Sequence, residues 1–254
     1  NHVWEWKKQS GNQIINQLKR LGCSCDWSRE RFTLDEGLSK AVRYVFVKLF
    51  NDKLIYKDKR LSNWDPKLKT TISDLEVIQK EVKGSLWYID YKIEDEEKII
   101  TVATTRPETM LGDTAIAVHP NDMRYKELIG KRAVLPIVNR KIVIIGDEYA
   151  KMDQGSGAVK ITPAHDFNDY EIGINHGLEV INIFNENAEL NENCPKEYQN
   201  LDRFEARKKI VSELEMLGAL NKIEENIHTV PYGDRSGEII EPLLTDQWFV
   251  NAKK

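Results

Sequence analysis

Gly155-Ser156-Gly157-Ala158-Val159-Lys160-Ile161-Thr162-Pro163-Ala164-His165-Asp166-Phe167-Asn168-Asp169-Tyr170-Glu171 reads as a strand that runs directly into the first turn of a helix. Successive strand side chains point to opposite faces, which sets Val159 and Ile161 on one side and Lys160 and Thr162 on the other. Pro163 has no N–H to donate and ends the ladder. Asp166 then reads as the N-cap of a helix running to His176, with Gly177 as its stop. Asp169 falls three residues on, sharing a face with the cap at a helix end that favours negative charge. Two carboxylates, an ammonium and a hydroxyl thus converge at one strand end. The plainer alternative is a cap, a weak capping pair and an edge-strand lysine.

Working outward, the chain of 254 residues has room for one large domain or a compact domain with a connector. Its 41% hydrophobic and 31% charged content is that of an ordinary globular mixture. A bilayer span needs about twenty consecutive apolar residues, and the longest apolar-rich run, Ala41 to Phe50, is interrupted by Arg43 and Lys48. No membrane partner is expected. The start at Asn1, followed by Trp4, Glu5, Trp6, Lys7 and Lys8, is unlike a signal peptide and reads as an excised piece of a longer chain. Cys23, Cys25 and Cys194 match neither a zinc ribbon nor a disulfide framework, which points to a reducing cytoplasm. A formal charge of −4 argues against sequence-independent DNA binding.

In chain order, Gln9 to Leu21 carries Ile14, Ile15, Leu18 and Leu21 at helical spacing, with Gly22 as the stop. Thr33-Leu34-Asp35-Glu36 has the form of a capping box, followed by Leu38, Ala41, Val42, Val45, Phe46 and Leu49. Asn63-Trp64-Asp65-Pro66 reads as a turn. Leu86 to Lys92 and Ile99 to Thr104 resemble a hairpin. Further strands are predicted at Thr114 to Val118, Ala133 to Val138, Lys141 to Ile145 and Leu178 to Phe184, and a helix at Asp202 to Leu217 before Gly218. Many short strands with few helices predict an α+β class: a barrel-like, β-rich domain at 83–225, a helical N-terminal stem at 1–82, and an extended C-terminal return segment at 226–254.

A second polar stretch, Thr101-Val102-Ala103-Thr104-Thr105-Arg106-Pro107-Glu108-Thr109-Met110-Leu111-Gly112-Asp113, ends a strand in two threonines and places Pro107 where a short helix begins. Backbone N–H groups there suit an oxyanion, and Arg106 suits a phosphate or carboxylate; the alternative is a polar turn bonded to itself. No nucleophile elbow, C-x-x-C pair or H-E-x-x-H helix occurs, so no metal is expected and hydrolysis would rest on a positioned water. His165, the one histidine in a polar cluster, is a minor candidate.

Thr104 to Pro120 and Gly155 to Gly173 resemble the two signature segments of the editing domain of the valyl-tRNA synthetases, which are class I aminoacyl-tRNA synthetases. The resemblance extends through Asp26 to Glu36, Asn63 to Pro66, Ser73 to Val77, Pro231 to Arg235 and Thr245 to Phe249, nearly the whole chain. Arg106-Pro107-Glu108 is closer to this family than to the isoleucyl enzymes, which have Thr-Pro-Trp-Thr there. The synthetic signatures His-Ile-Gly-His and Lys-Met-Ser-Lys-Ser are absent, so the resemblance implies an editing insertion, with ATP and Mg belonging to the parent enzyme. It further implies that Asp169 holds the α-ammonium of the substrate, and that Lys160, Asp166 and Thr162 surround the hydroxyl of a mischarged threonine. Thr104, Thr105, Arg106 and Thr109 would line the ester and terminal adenosine, with Glu171 beside them. Gln154 stands where some relatives carry an aromatic. The implied partners are the 3′ acceptor end of tRNA(Val) carrying threonine and the rest of the synthetase chain. The rival from another class is a module that binds the acceptor end without cleaving it.

Overall fold

The computed structural model describes residues 1–252. It falls into two compact units, Asn1–Tyr56 with the chain from Trp248 onward, and Lys57–Gln247.

The first unit holds helices α1 (His2–Ser10), α2 (Gln13–Arg20) and α3 (Glu36–Asn51). The single helix expected over Gln9 to Leu21 is divided at Gly11 and Asn12, where glycine weakens helical continuity. α3 starts later than a cap at Thr33 would have it: Asp35 is the N-cap, its Oδ1 accepting from Leu38 N at 2.8 Å while Arg31 grips the same carboxylate. None of the three helices buries a residue. Phe46 and Phe50 meet Trp248 edge-on at 5.3 and 6.1 Å.

The other strands and helices are β1 (Ile55–Asp65), β2 (Thr70–Thr71), β3 (Val77–Ile93), β4 (Ile99–Thr104), β5 (Ala115–Val118), β6 (Arg132–Val134), β7 (Lys141–Gly146), β8 (Ala158–Ile161), α4 (Phe167–His176), α5 (Arg203–Met216), β9 (Leu220–Gly233) and β10 (Glu241–Val250). One sheet has the order β10-β1-β2; the other runs β4-β3-β6-β7-β5-β8, with β9 paired to β3. The ends of that path, β4 and β8, lie against each other, so the second sheet curls into the barrel-like α+β form expected.

Alternation explains this curl. In the β3–β4 hairpin, paired from Trp87↔Thr104 to Lys92↔Ile99, the side chains of Ile89, Tyr91, Ile93, Ile100 and Val102 all turn inward and are buried. β5 is buried at every residue because it separates two cores: Ile116 and Val118 join the larger one, Ala115 and Ala117 the smaller one with Ile145, Ile161 and Ile172. Across β5 and β8 the register pairs Ile116 with Lys160 and Ala115 with Ile161. Paired residues share a face, so Lys160 is directed toward the larger core and Ile161 toward the smaller.

Several expected elements differ. β3 is longer than Leu86 to Lys92, since it continues back to Val77 and pairs with β9 from Val77↔Gly233 onward. Asn63, Trp64 and Asp65 finish β1 and the turn starts at Pro66. β6 stops at Val134 because Pro136 lacks an N–H and Ile137 and Asn139 take left-handed φ of 68° and 53°. Leu178 to Phe184 is not a strand: Ile183 N donates to His165 Nε2 at 3.0 Å, and the Asn191 side-chain amide donates to the carbonyls of Asn182 and Phe184 at 3.0 and 3.2 Å. Side chains satisfy much of that backbone, and the pairing is limited to one isolated bridge between Phe184 and Leu190. The last two residues of the expected return segment lie outside the described residues. No helix among the described residues is long and apolar enough to cross a membrane.

Candidate active site

Lys160 reaches the larger core from β8 with only 8% of its side chain exposed, and an ammonium there requires compensation. Asp113, fully buried, supplies it at 3.1 Å. The carboxylate follows the short 3₁₀ turn Pro107–Gly112, which also carries Thr109. Lys160 Nζ donates to Thr109 Oγ1 at 2.7 Å, to Asp113 Oδ1 and to Thr162 Oγ1, spending all three of its N–H groups. Thr162 in turn donates its hydroxyl to Asp113 Oδ1 at 2.6 Å, and Tyr91 OH donates to Asp113 Oδ2 at 2.8 Å. Burial pushes the Asp113 carboxyl up, against the pull of the Lys160 ammonium and the two hydroxyls. Burial and the facing carboxylate push the Tyr91 phenol well up, which keeps it a donor.

The second half of the site is the start of α4. Asp166 caps it, with Oδ1 accepting from Asn168 N at 2.8 Å and Asp169 N at 3.1 Å. Asp169 points back to the strand end, where its Oδ2 accepts from Thr162 N at 2.8 Å. The residue is 6% exposed, and burial, with the Asp166 charge next, pushes its carboxyl up to about 7. A buried carboxyl titrating near neutrality can exchange a proton or anchor a cation. Asp166 and Glu171 are exposed.

Thr104 is buried, and its Oγ1 accepts from Arg106 N at 3.0 Å. Of the amides from Thr105 to Glu108, that of Arg106 is therefore committed and Pro107 has none. Thr105 is half-buried. The Arg106 guanidinium is held by protein groups: Glu108 Oε1 at 3.2 Å, the His165 carbonyl at 3.1 Å, and Glu241. Two more arginines, on α5, complete the network, Arg207 gripping Glu108 at 2.7 and 2.9 Å and Arg203 meeting Glu241 at 2.9 Å. These guanidinium groups hold the Glu108 carboxyl below the usual range despite its burial. His165 is buried, and desolvation, with Arg106 and Lys160 nearby, keeps it neutral; its Nε2 accepts from Ile183 N.

The structure thus gathers Lys160, Thr162, Thr109 and Asp169 within one hydrogen-bonded set, with Asp166 joined through Asp169 N. Sequence reasoning missed Asp113 and Tyr91. The signal for Asp113 was a lone charge between the 3₁₀ turn and the apolar run Ala115–Val118. Glu241 and Arg203 left no such mark. No cluster of His, Cys, Asp and Glu suited to a metal ion occurs among the described residues.

The chain is similar to the valine–tRNA ligase of Pelagibacter ubique (strain HTCC1062), with 64% identity over 253 residues covering 99% of this chain and 29% of that protein. It is 58% identical to the valine–tRNA ligases of Bradyrhizobium diazoefficiens and Francisella tularensis, covering 99% and 98% of this chain and 28% and 27% of those proteins. It therefore spans less than a third of the length of these curated relatives. Among solved structures, the ternary complex of Agrobacterium radiobacter K84 agnB2 LeuRS with tRNA and LeuAMS matches with a TM-score of 0.44 at 17% identity, covering 89% of this chain and 36% of that one. The family model described as tRNA synthetases class I (I, L, M and V) matches residues 1–254, and the chain belongs to that family.

Proposed function

We propose that the chain is the editing part of a valine–tRNA ligase, hydrolysing the ester of threonyl-tRNA(Val) and sparing valyl-tRNA(Val). In this reading residues 83–225 carry the editing reaction, while 1–82 and 226–254 connect them to a synthetic body that joins valine to tRNA(Val) with ATP. The observation that carries it is the buried hydroxyl-rich set of Lys160, Thr162, Thr109 and Asp113 beside Asp169. An apolar pocket rejects an isostere that merely adds a hydroxyl by only about a hundredfold, the long-established figure for valine against threonine in these enzymes. A polar pocket supplies the complementary sieve, because valine leaves its hydrogen-bonding groups unpaired. Thr162 Oγ1 and Thr109 Oγ1 each keep one acceptor site beyond the bonds described, so a substrate hydroxyl joins as a further donor.

Asp169 holds the α-ammonium; the cation pulls its carboxyl back toward the ionised form. Water adds to the ester carbonyl, the neighbouring ribose hydroxyl assists its deprotonation, and the amide of Thr105 receives the oxyanion. The ribose oxygen leaves with a proton, giving free threonine and tRNA. Deacylation of threonyl-tRNA(Val) by the unmodified chain and by Asp169→Ala tests this. Cleavage lost in the variant supports it, and full activity in Asp169→Ala sinks the ammonium role.

A further inference from the structure

Glu241 lies at the start of β10, 135 residues beyond Arg106, yet is 1% exposed and bonded to the Arg106 guanidinium. Its other oxygen accepts from Arg203 Nη1 at 2.9 Å, and Arg203 Nη2 donates to the Ile239 carbonyl at 2.7 Å. Three guanidinium groups, Arg106, Arg203 and Arg207, share two buried carboxylates, Glu108 and Glu241. Each carboxylate therefore fixes two arginines, and Glu241 is the only one of the two supplied by β10.

Arg106 touches both halves of the site. Its carbonyl accepts the hydroxyl of Thr109 at 3.0 Å, and that hydroxyl receives Lys160. Its guanidinium donates to the carbonyl of His165, the residue before the α4 cap Asp166. Its backbone N–H is held by Thr104 Oγ1. An arginine side chain has several rotatable bonds and keeps one geometry only when its planar fork is matched on more than one side. Glu108 matches one side from two residues away in the same turn; Glu241 matches the other from a distant strand.

We infer that Glu241 is a positioning residue for the editing site, acting through Arg106 to hold Thr109 and the His165–Asp166 junction in register. This rests on the editing reading for its kinetic consequence, but not for its structural one. In Glu241→Gln, Arg203 loses its charged acceptor and Arg106 keeps only Glu108, and half of the new amide presents donors to donors. The turn carrying Thr109 and the start of α4 then move independently.

Amide resonances of the whole chain give the structural test. Glu241→Gln is expected to displace those of Thr109, Asp166 and Thr162 as well as its own neighbours; Glu238→Gln, whose carboxylate pairs with Lys67 at the surface, is expected to displace none of the three. Changes confined to residues 239–243 and Arg203 overturn the inference. Single-turnover deacylation gives the second test: the rate on threonyl-tRNA falls about tenfold, within the range of coupling carried through packed networks, with tRNA affinity unchanged. Arg106→Gln combined with Glu241→Gln is no slower than Arg106→Gln alone, whereas multiplying effects show that Glu241 does not act through Arg106. If Glu241→Gln melts below the assay temperature, Glu241→Asp, which keeps the charge and shortens the reach, takes its place in both tests. A wild-type chain that leaves threonyl-tRNA intact removes the editing reading, and the resonances alone then decide the role of Glu241.

Discussion

Replacing Asp169 by asparagine isolates the energetic cost of holding a carboxyl in the site. Its pKa rises from the ordinary 3.8 to about 7, mainly because burial disfavours the anion. The folded state therefore binds this proton more tightly than the unfolded chain does. Stability from this group is fully present below about pH 4 and is lost as pH rises through 7. At about 1.4 kcal/mol per tenfold change, the full loss is about 4 kcal/mol above pH 8. About 2.5 kcal/mol of it accrues between pH 5 and pH 8. Asparagine still offers an oxygen to Thr162 N but does not titrate. Urea unfolding of both proteins at pH 5, 6, 7 and 8 gives the comparison, and groups common to the two cancel. The variant is expected to gain on the wild type as pH rises, by about 2.5 kcal/mol over that interval. A difference that stays constant with pH refutes the reasoning, since it places the carboxyl at its ordinary value.

The other outcomes follow from the same contacts. Lys160→Met leaves Asp113 buried without its ammonium and is expected to cost about 3–5 kcal/mol in denaturant unfolding; adding Asp113→Asn returns part of that loss. Asp166→Ala removes the α4 cap and lowers stability by about 1 kcal/mol, read as a fall in Tm. Gly173 is where α4 rests on Pro163: a Cβ there would lie 2.9 Å from two atoms of that ring. Gly173→Ala is expected to destabilise by about 1–3 kcal/mol through overpacking, measured by thermal unfolding.

Local chemistry was legible wherever a few adjacent residues decide the structure. Asp166 and Gly177 bound α4 as expected, Gly177 taking the left-handed φ of 63° that suits glycine. The hairpin from Trp87 to Thr104 followed from alternation, and Asp202 caps α5 through Phe204 N. What the sequence hid was long-range. Asp113 reads as a turn residue until the β5–β8 register brings Lys160 across to it. Arg106 invites a ligand in isolation, but Glu108 and Glu241 already occupy its guanidinium. Leu178 to Phe184 has strand composition, yet the side chains of His165 and Asn191 take several of its backbone groups and only Phe184 forms a bridge. The division of α1 from α2 turned on Gly11 and Asn12, which an amphipathic stripe alone does not reveal.

Single-turnover deacylation of threonyl-tRNA(Val) and valyl-tRNA(Val), both charged on the same tRNA and mixed with excess chain, tests the central claim most directly. A hydroxyl-selective site is expected to release threonine at least about a hundredfold faster than valine, the gap an apolar pocket leaves open. Equal rates for the two esters would contradict selection by the Lys160–Thr162–Asp113 set, and cleavage of neither would contradict an editing activity in this chain.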